Sequence, residues 1–77
     1  MPVITRRYLL DELVRFRRLF GDRTFWQRAP EAREGAVRGL FYSYLNAQDL
    51  TDGDMSTFQA TMDEYRMREL MIQKISS

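Results

Sequence analysis

The sequence lacks two side chains on which much protein chemistry depends. Its 77 residues contain no cysteine and no histidine. Cysteine nucleophiles, histidine-based triads, zinc sites of the Cys/His type and disulfide frameworks are therefore excluded. The groups left for acid-base or nucleophilic work are carboxylates, tyrosine and serine, and no glycine-rich phosphate loop accompanies them. We predict that the protein is not an enzyme and that it holds no metal ion and no other cofactor.

Long apolar runs are missing as well. No stretch approaches the roughly 18 apolar residues that a membrane-spanning helix needs, and the first residues do not form a secretion signal. The sequence therefore predicts no membrane association and a cytoplasmic location. A chain that is 44% hydrophobic and 30% charged has the composition of one globular domain, residues 1–77, and this length leaves little room for a deep substrate cleft.

The net charge of +1 hides an uneven distribution along the chain. Residues 1–40 contain nine basic and five acidic side chains, whereas residues 41–77 contain three basic and six acidic ones. Eleven of the 12 basic residues are arginine, whose planar guanidinium suits carboxylates, phosphates and aromatic faces. The favoured cause of the arginine-for-lysine preference is a GC-rich genome, although the positions of the arginines need a separate explanation. We expect an arginine-rich N-terminal part and an acidic C-terminal part.

Hydrophobic periodicity predicts an all-α fold, a small bundle of three main helices plus one short helical turn. Thr5 is a suitable N-cap for a first helix over residues 6–20, which contain neither glycine nor proline. The short turn is expected over residues 25–29. A second main helix should begin at Pro30 and extend to Ala47, because the first turn of a helix does not use the N–H that proline lacks.

Two connecting segments carry the residues of turns and caps. Residues 22–24 are expected to form a turn and an N-cap before the short helical turn. Asp52–Gly53 has the composition of a second turn, after which Asp54 or Ser56 would cap the last main helix. That helix is expected to run to about Lys74.

A strip of small residues follows one side of the second main helix at spacings of three and four: Ala32, Gly35, Ala36, Gly39 and Ser43. Each glycine inside a helix costs about 1 kcal/mol relative to alanine, so a compensating contact is expected. The favoured compensation is the close approach of another helix within the domain. The alternative is a partner surface with Arg38 and Tyr42 at its edge.

The last helix carries two apolar sets. The first is a core stripe interrupted by Glu69, and it comprises Met55, Phe58, Met62, Tyr65 and Ile72. The second set, Met67, Leu70 and Met71, points roughly the other way. Methionine both fills irregular cores and lines adaptable binding surfaces, so this second set is either core or interface. If it is an interface, the last helix is a candidate homodimer surface.

Two binding functions remain after these exclusions. Arg7, Arg15 and Arg18 share the face of the first helix opposite its apolar side, where they would meet nucleic-acid phosphates. Against that alternative, the second half is acidic and the isoelectric point is about 8.1, whereas dedicated nucleic-acid binders usually exceed about 9. We therefore predict a protein-protein interaction module, a small regulator or inhibitor that acts by occupying the surface of a protein partner.

The side chains predicted to contact that partner belong to the types enriched at interfaces. They are Arg7, Arg15, Arg18, Arg38, Tyr42, Met67 and Met71. The single tryptophan, Trp26, has two interpretations, a core plug under the short helix or an exposed anchor for the partner. The first of these is favoured.

Overall fold

The computed structural model of the protein describes residues 3–76, which form four helices. They are α1 (Arg6–Leu19), α2 (Arg23–Gln27), α3 (Pro30–Asn46) and α4 (Asp52–Ser76). This described part contains no β-strand, and its one isolated bridge joins Ile4 to Ala47. The predicted all-α bundle of three main helices and a short one is confirmed. Within the same residues, no helix combines the length and the apolar character needed to cross a membrane.

α1 and α3 begin at the predicted residues, Arg6 and Pro30, whereas α2 begins at Arg23, two residues before the predicted start of the short helical turn. The Thr5 hydroxyl accepts a hydrogen bond from the Tyr8 amide at 3.1 Å, and the Asp22 carboxylate accepts one from the Thr24 amide at 2.9 Å. Pro30 is the first residue of α3. Each cap satisfies an amide that the helix itself leaves unpaired, so these short-range signals are sufficient to set the helix starts.

The predicted start of α4 is wrong, since Asp52–Gly53 lies inside the first turn and the cap is Thr51. The Asp54 amide donates to Thr51 Oγ1 at 3.1 Å, and the Thr51 amide donates to Asp54 Oδ2 at 3.0 Å. This reciprocal pair is a capping box, in which two unpaired amides at the helix start are satisfied at once. Acids in a first turn also interact favourably with the helix dipole, which here outweighs the turn tendency of an Asp-Gly pair.

Asp54 also ties the start of α4 to the start of α1. Arg6 donates to both carboxylate oxygens of Asp54, at 2.5 and 3.0 Å. The hydrogen bond from Arg6, followed by that from the Thr51 amide, lowers the pKa of Asp54 to about 2. The carboxylate therefore stays ionised, and stays in both contacts, down to strongly acidic pH.

The stability of the fold should depend on pH through this carboxylate. Because the pKa of Asp54 is lower in the folded state, its contribution is fully present above the unfolded value of 3.8 and is lost as the pH falls towards 2. We expect the urea midpoint to decrease between pH 4.5 and 2. Asp54→Asn should show a smaller decrease, since its side chain does not ionise. Equal decreases in both proteins would contradict this assignment.

The hydrophobic core lies where α1 meets α3 and α4. Its buried side chains are Leu9, Leu13, Phe16, Phe20, Phe25, Leu40, Phe58, Met62 and Tyr65. Phe16 contacts Phe20 and Phe25 edge to face, with ring centroids 5.3 and 6.3 Å apart. One member of the predicted core stripe is not buried: Met55 is 39% exposed. Leu45 of α3 is 76% exposed.

Only part of the strip of small residues on α3 packs inside the domain as the favoured interpretation expects, and Ala36 is half-buried against the core. Ala32, Gly35 and Gly39 are exposed, and Ser43 is the one member that is buried. A Cβ atom added at either glycine would meet no heavy atom within 4 Å outside the local helix. No close helix approach therefore compensates the cost of these two glycines within residues 3–76.

Replacing Gly35 or Gly39 with alanine should stabilise the protein. Each change gains about 1 kcal/mol of helix propensity, and there is open space for the added methyl group. The free energy of unfolding from urea titration would measure the gain. Ala60→Gly, at an exposed position of α4, is the matched control and should lose about the same amount. Unchanged or lower stability of both alanine variants would contradict the prediction.

Candidate functional site

The seven side chains predicted to contact a partner are all exposed. Three lie on α1, two on α3 and two on α4: Arg7, Arg15 and Arg18; Arg38 and Tyr42; Met67 and Met71. The structure brings the two methionines together in one groove of about 470 Å³, which Leu70, Gln73 and Lys74 also line. The other five predicted residues do not line this groove.

The C-terminal part of α4 exposes four large apolar side chains on neighbouring turns, which we call the α4 apolar face. Met67, Leu70, Met71 and Ile75 are 60, 56, 59 and 84% exposed. At 100° per residue, Met67 lies about 180° around the helix from the buried side chains of α4, Phe58, Met62 and Tyr65. The second apolar set of the last helix is thus a surface in this chain and not part of its core.

The outer side of α4 changes character along its length. Its first half carries exposed Ser56, Ala60 and Asp63, which are ordinary residues for a helix side in water. From Met67 onward the same side carries Met67, Leu70 and Met71, together with one charged residue, Lys74. A helix that only covered its own core would keep the polar pattern to its end, so the last turns of α4 differ from an ordinary water-facing helix side.

A second groove of about 470 Å³ adjoins the α4 apolar face and is lined by Trp26, Arg68, Met71, Ile72 and Ile75. Trp26 is half-buried, and its Nε1 donates to the Phe20 carbonyl at 3.0 Å. Arg68 donates to the same carbonyl at 2.8 Å and lies 6.0 Å from the Trp26 ring. Trp26 is therefore a packing residue, as favoured, and it also lines this groove; its role as an anchor for a partner stays a prediction.

A buried ion pair holds α4 in place beside these grooves. Arg33 is 3% exposed, and its guanidinium donates to the two carboxylate oxygens of Glu69 at 2.9 and 2.7 Å. The Trp26 carbonyl accepts another of its hydrogen bonds at 3.1 Å, and the Arg28 carbonyl also accepts one. Glu69 in turn accepts a hydrogen bond from the Tyr65 hydroxyl at 2.5 Å.

These contacts set the ionisation of the three side chains. The hydrogen bonds from Arg33 lower the pKa of Glu69. Burial, together with the hydrogen bond to the Glu69 carboxylate, raises the pKa of Tyr65 well above its usual value. Glu69 is therefore ionised and Tyr65 neutral near neutral pH, which is the arrangement that keeps every member of the network paired.

Sequence reasoning missed this network, although a signal for it exists. Arg33 falls on the same helical face as Val37 and Leu40, and Glu69 interrupts the core stripe of α4. Opposite charges that each interrupt an apolar stripe are good candidates for a buried pair, because a buried charge requires a partner.

The four arginines that were predicted to contact a partner, Arg7, Arg15, Arg18 and Arg38, form no comparable network within residues 3–76. Arg7 lies 3.7 Å from Asp11, and Arg38 lies 3.1 Å from Glu34; all four side chains are more than half exposed. Such exposed pairs contribute little to stability. Arg15 lines a shallow depression of about 360 Å³ between α1 and α3, where Gly35 and Gly39 also lie.

Comparison with known protein families, with characterised proteins and with solved structures gives no match for this chain. Among residues 3–76, no group of three carboxylates is arranged so that it could hold a metal ion.

Proposed function

We propose that the protein is a protein-interaction module whose contact surface is the α4 apolar face, and that it acts as a small regulator or inhibitor by occupying a surface of its partner. The observation that carries the proposal is the exposure of Met67, Leu70, Met71 and Ile75 on neighbouring turns. Contiguous exposed apolar side chains of this size are typical of interaction sites.

The energetics favour covering this face. Full burial of a leucine, isoleucine or methionine side chain contributes about 1.5–3 kcal/mol, and each of these four side chains retains more than half of its exposure. Binding would recover roughly half of that value for each of them. The adjoining groove adds the Trp26 ring and the Arg68 guanidinium, and both residue types are frequent at the centre of interfaces.

Site-specific photo-cross-linking in the producing cell tests the proposal. A photoreactive amino acid at position 71 should yield a covalent adduct of defined mass with a protein. The same amino acid at positions 14 and 45 is the matched control, because Val14 and Leu45 are also exposed apolar residues but lie on other helices. Adducts at all three positions alike, or at none, would contradict the assignment of the α4 apolar face.

Nucleic-acid binding is a second candidate, supported by the exposed arginines of α1. Arg15, Arg17 and Arg18 are exposed, and no carboxylate of residues 3–76 lies within ion-pair distance of them. Binding through such residues would weaken steeply as salt increases. An anisotropy titration with DNA and RNA at about 50 mM salt tests this candidate. Loss of binding in the Arg15→Ala/Arg18→Ala variant would support it, and no binding by the unaltered protein would remove it.

A further inference from the structure

Basic side chains lie in both grooves beside the α4 apolar face, and no carboxylate of residues 3–76 lines either groove. Arg68 is the charged side chain of the groove that contains Trp26, and Lys74 is that of the other groove. Both bases are exposed, and Met71 lines both grooves, so the two grooves meet at this residue. A partner that filled them would therefore meet positive charge in each groove beside its apolar contacts.

A third base, Arg66, lies at the flank of this face. It precedes Leu70 by one turn, is exposed and forms no ion pair within residues 3–76. The helix dipole favours Lys74, which lies in the last turn of α4, but its effect falls off within that turn. Arg66 and Arg68 lie about two turns or more before the end of α4, so the dipole does not explain them. We call Arg66, Arg68 and Lys74 the α4 bases.

We infer that the occupant of the α4 apolar face is an acidic amphipathic helix of a partner protein. The inference rests on the proposed function, since it specifies the partner of the same face. Apolar side chains three and four residues apart would pack along Met67 and Met71, and carboxylates beside them would pair with the α4 bases. The described residues offer no sheet edge on which an extended segment could pair, so a helix is the element that fits this face.

The acidic character of the partner follows from the charges that surround the face. A second copy of this chain would set the α4 bases against the same bases when the two faces overlap, which is unfavourable. An anionic membrane fits no better, because the exposed carboxylates of Asp63 and Glu64 lie within about 60° of Met67, one turn earlier, and would approach the lipid phosphates. A short acidic helix over residues 66–75 pairs with the bases and avoids both carboxylates.

The α4 bases can take such a partner without giving up their own contacts. Arg68 lies 3.4 Å from Glu64 and donates to the Phe20 carbonyl, and Lys74 also has an interaction within its own chain. A guanidinium and an ammonium each carry several donors, so each base retains a donor for an intermolecular carboxylate.

Photo-cross-linking at position 71 in the producing cell, followed by sequencing of the cross-linked peptide by mass spectrometry, tests the inference. The captured segment should be acidic, with apolar residues at spacings of three and four. A synthetic peptide of that segment is then titrated against the purified protein, with Trp26 fluorescence as the signal because Trp26 lines one groove. Lys74→Glu and Arg66→Glu should each bind the peptide about tenfold or more weakly than the unaltered chain, because like charges then meet.

Arg7→Glu is the matched control, since it reverses an exposed arginine on another helix and should leave the affinity within about twofold. Three results would overturn the acidic partner and leave the proposed function standing: a captured segment that is neutral, basic or from this chain itself, a peptide that does not bind the unaltered protein, or equal affinities of Lys74→Glu and Arg7→Glu. An adduct with lipid in place of protein, or no adduct specific to position 71, would contradict both.

Discussion

Replacing Arg33 with alanine is expected to lower the free energy of unfolding by about 3–5 kcal/mol. The change leaves the Glu69 carboxylate without its two guanidinium contacts, and the Trp26 and Arg28 carbonyls lose a donor. A domain of this length has a total stability of roughly 4–12 kcal/mol, so the loss is a large share of the whole. Urea denaturation followed by circular dichroism would measure it.

Two further variants separate the cost of a broken pair from the contribution of the pair itself. Arg38→Ala removes an exposed arginine paired with Glu34 and should cost less than about 1 kcal/mol. The double variant Arg33→Met/Glu69→Leu should recover much of the loss, because well-packed apolar side chains often replace a buried ion pair without penalty. A loss below about 1 kcal/mol for Arg33→Ala would show that the pair is not held out of solvent.

Phe25→Ala is expected to cost about 3–5 kcal/mol, the usual range for a large aromatic side chain removed from a core. Phe25 is 1% exposed, and its ring centroid lies 6.3 Å from that of Phe16 and 5.0 Å from that of Trp26. α2 has five residues, too few to form a stable helix without tertiary packing. The loss of this anchor should therefore loosen α2 as well as leave a cavity.

Because Trp26 is the single tryptophan, its fluorescence reports directly on α2. We expect the Phe25→Ala spectrum to shift to longer wavelength under native conditions, in addition to the lower unfolding midpoint. Leu45→Ala is the control, since that side chain is 76% exposed and its removal should change stability by less than about 0.5 kcal/mol. Equal effects of the two substitutions would contradict the assignment of Phe25 to the core.

Signals from residues close together in the sequence were sufficient to predict much of the fold. Thr5 and Asp22 cap their helices through hydrogen bonds within a few residues, and Pro30 suits the first position of α3 because it lacks an N–H; both signals can be predicted from sequence. The start of α4 was mispredicted because the pair Asp52–Gly53 suits two places equally well, a turn between helices and the first turn of a helix. The carboxylate of Asp54 decides between them by completing the capping box with Thr51 and by pairing with Arg6, a residue distant in sequence.

The candidate site was predictable only in part. Periodicity correctly separated the outer set containing Met67 and Met71 from the core stripe, because it identifies which residues share a helix face. It does not show whether another helix covers that face, since this depends on how the helices are placed in space. The same limitation explains the partly wrong prediction for the strip of small residues on α3. Gly35 and Gly39 were expected to pack against another helix, and a Cβ atom at either position would contact nothing outside the local helix.

We expect the α4 apolar face to be covered when the protein functions. Methionine oxidation footprinting tests it most directly, because exposed methionines oxidise fastest and the chain carries its own controls. In the isolated monomer, Met67 and Met71 should react readily, Met55 at an intermediate rate and buried Met62 slowly. In the producing cell, we expect Met67 and Met71 to be protected several-fold relative to Met55. Unchanged relative rates in the cell would contradict the claim.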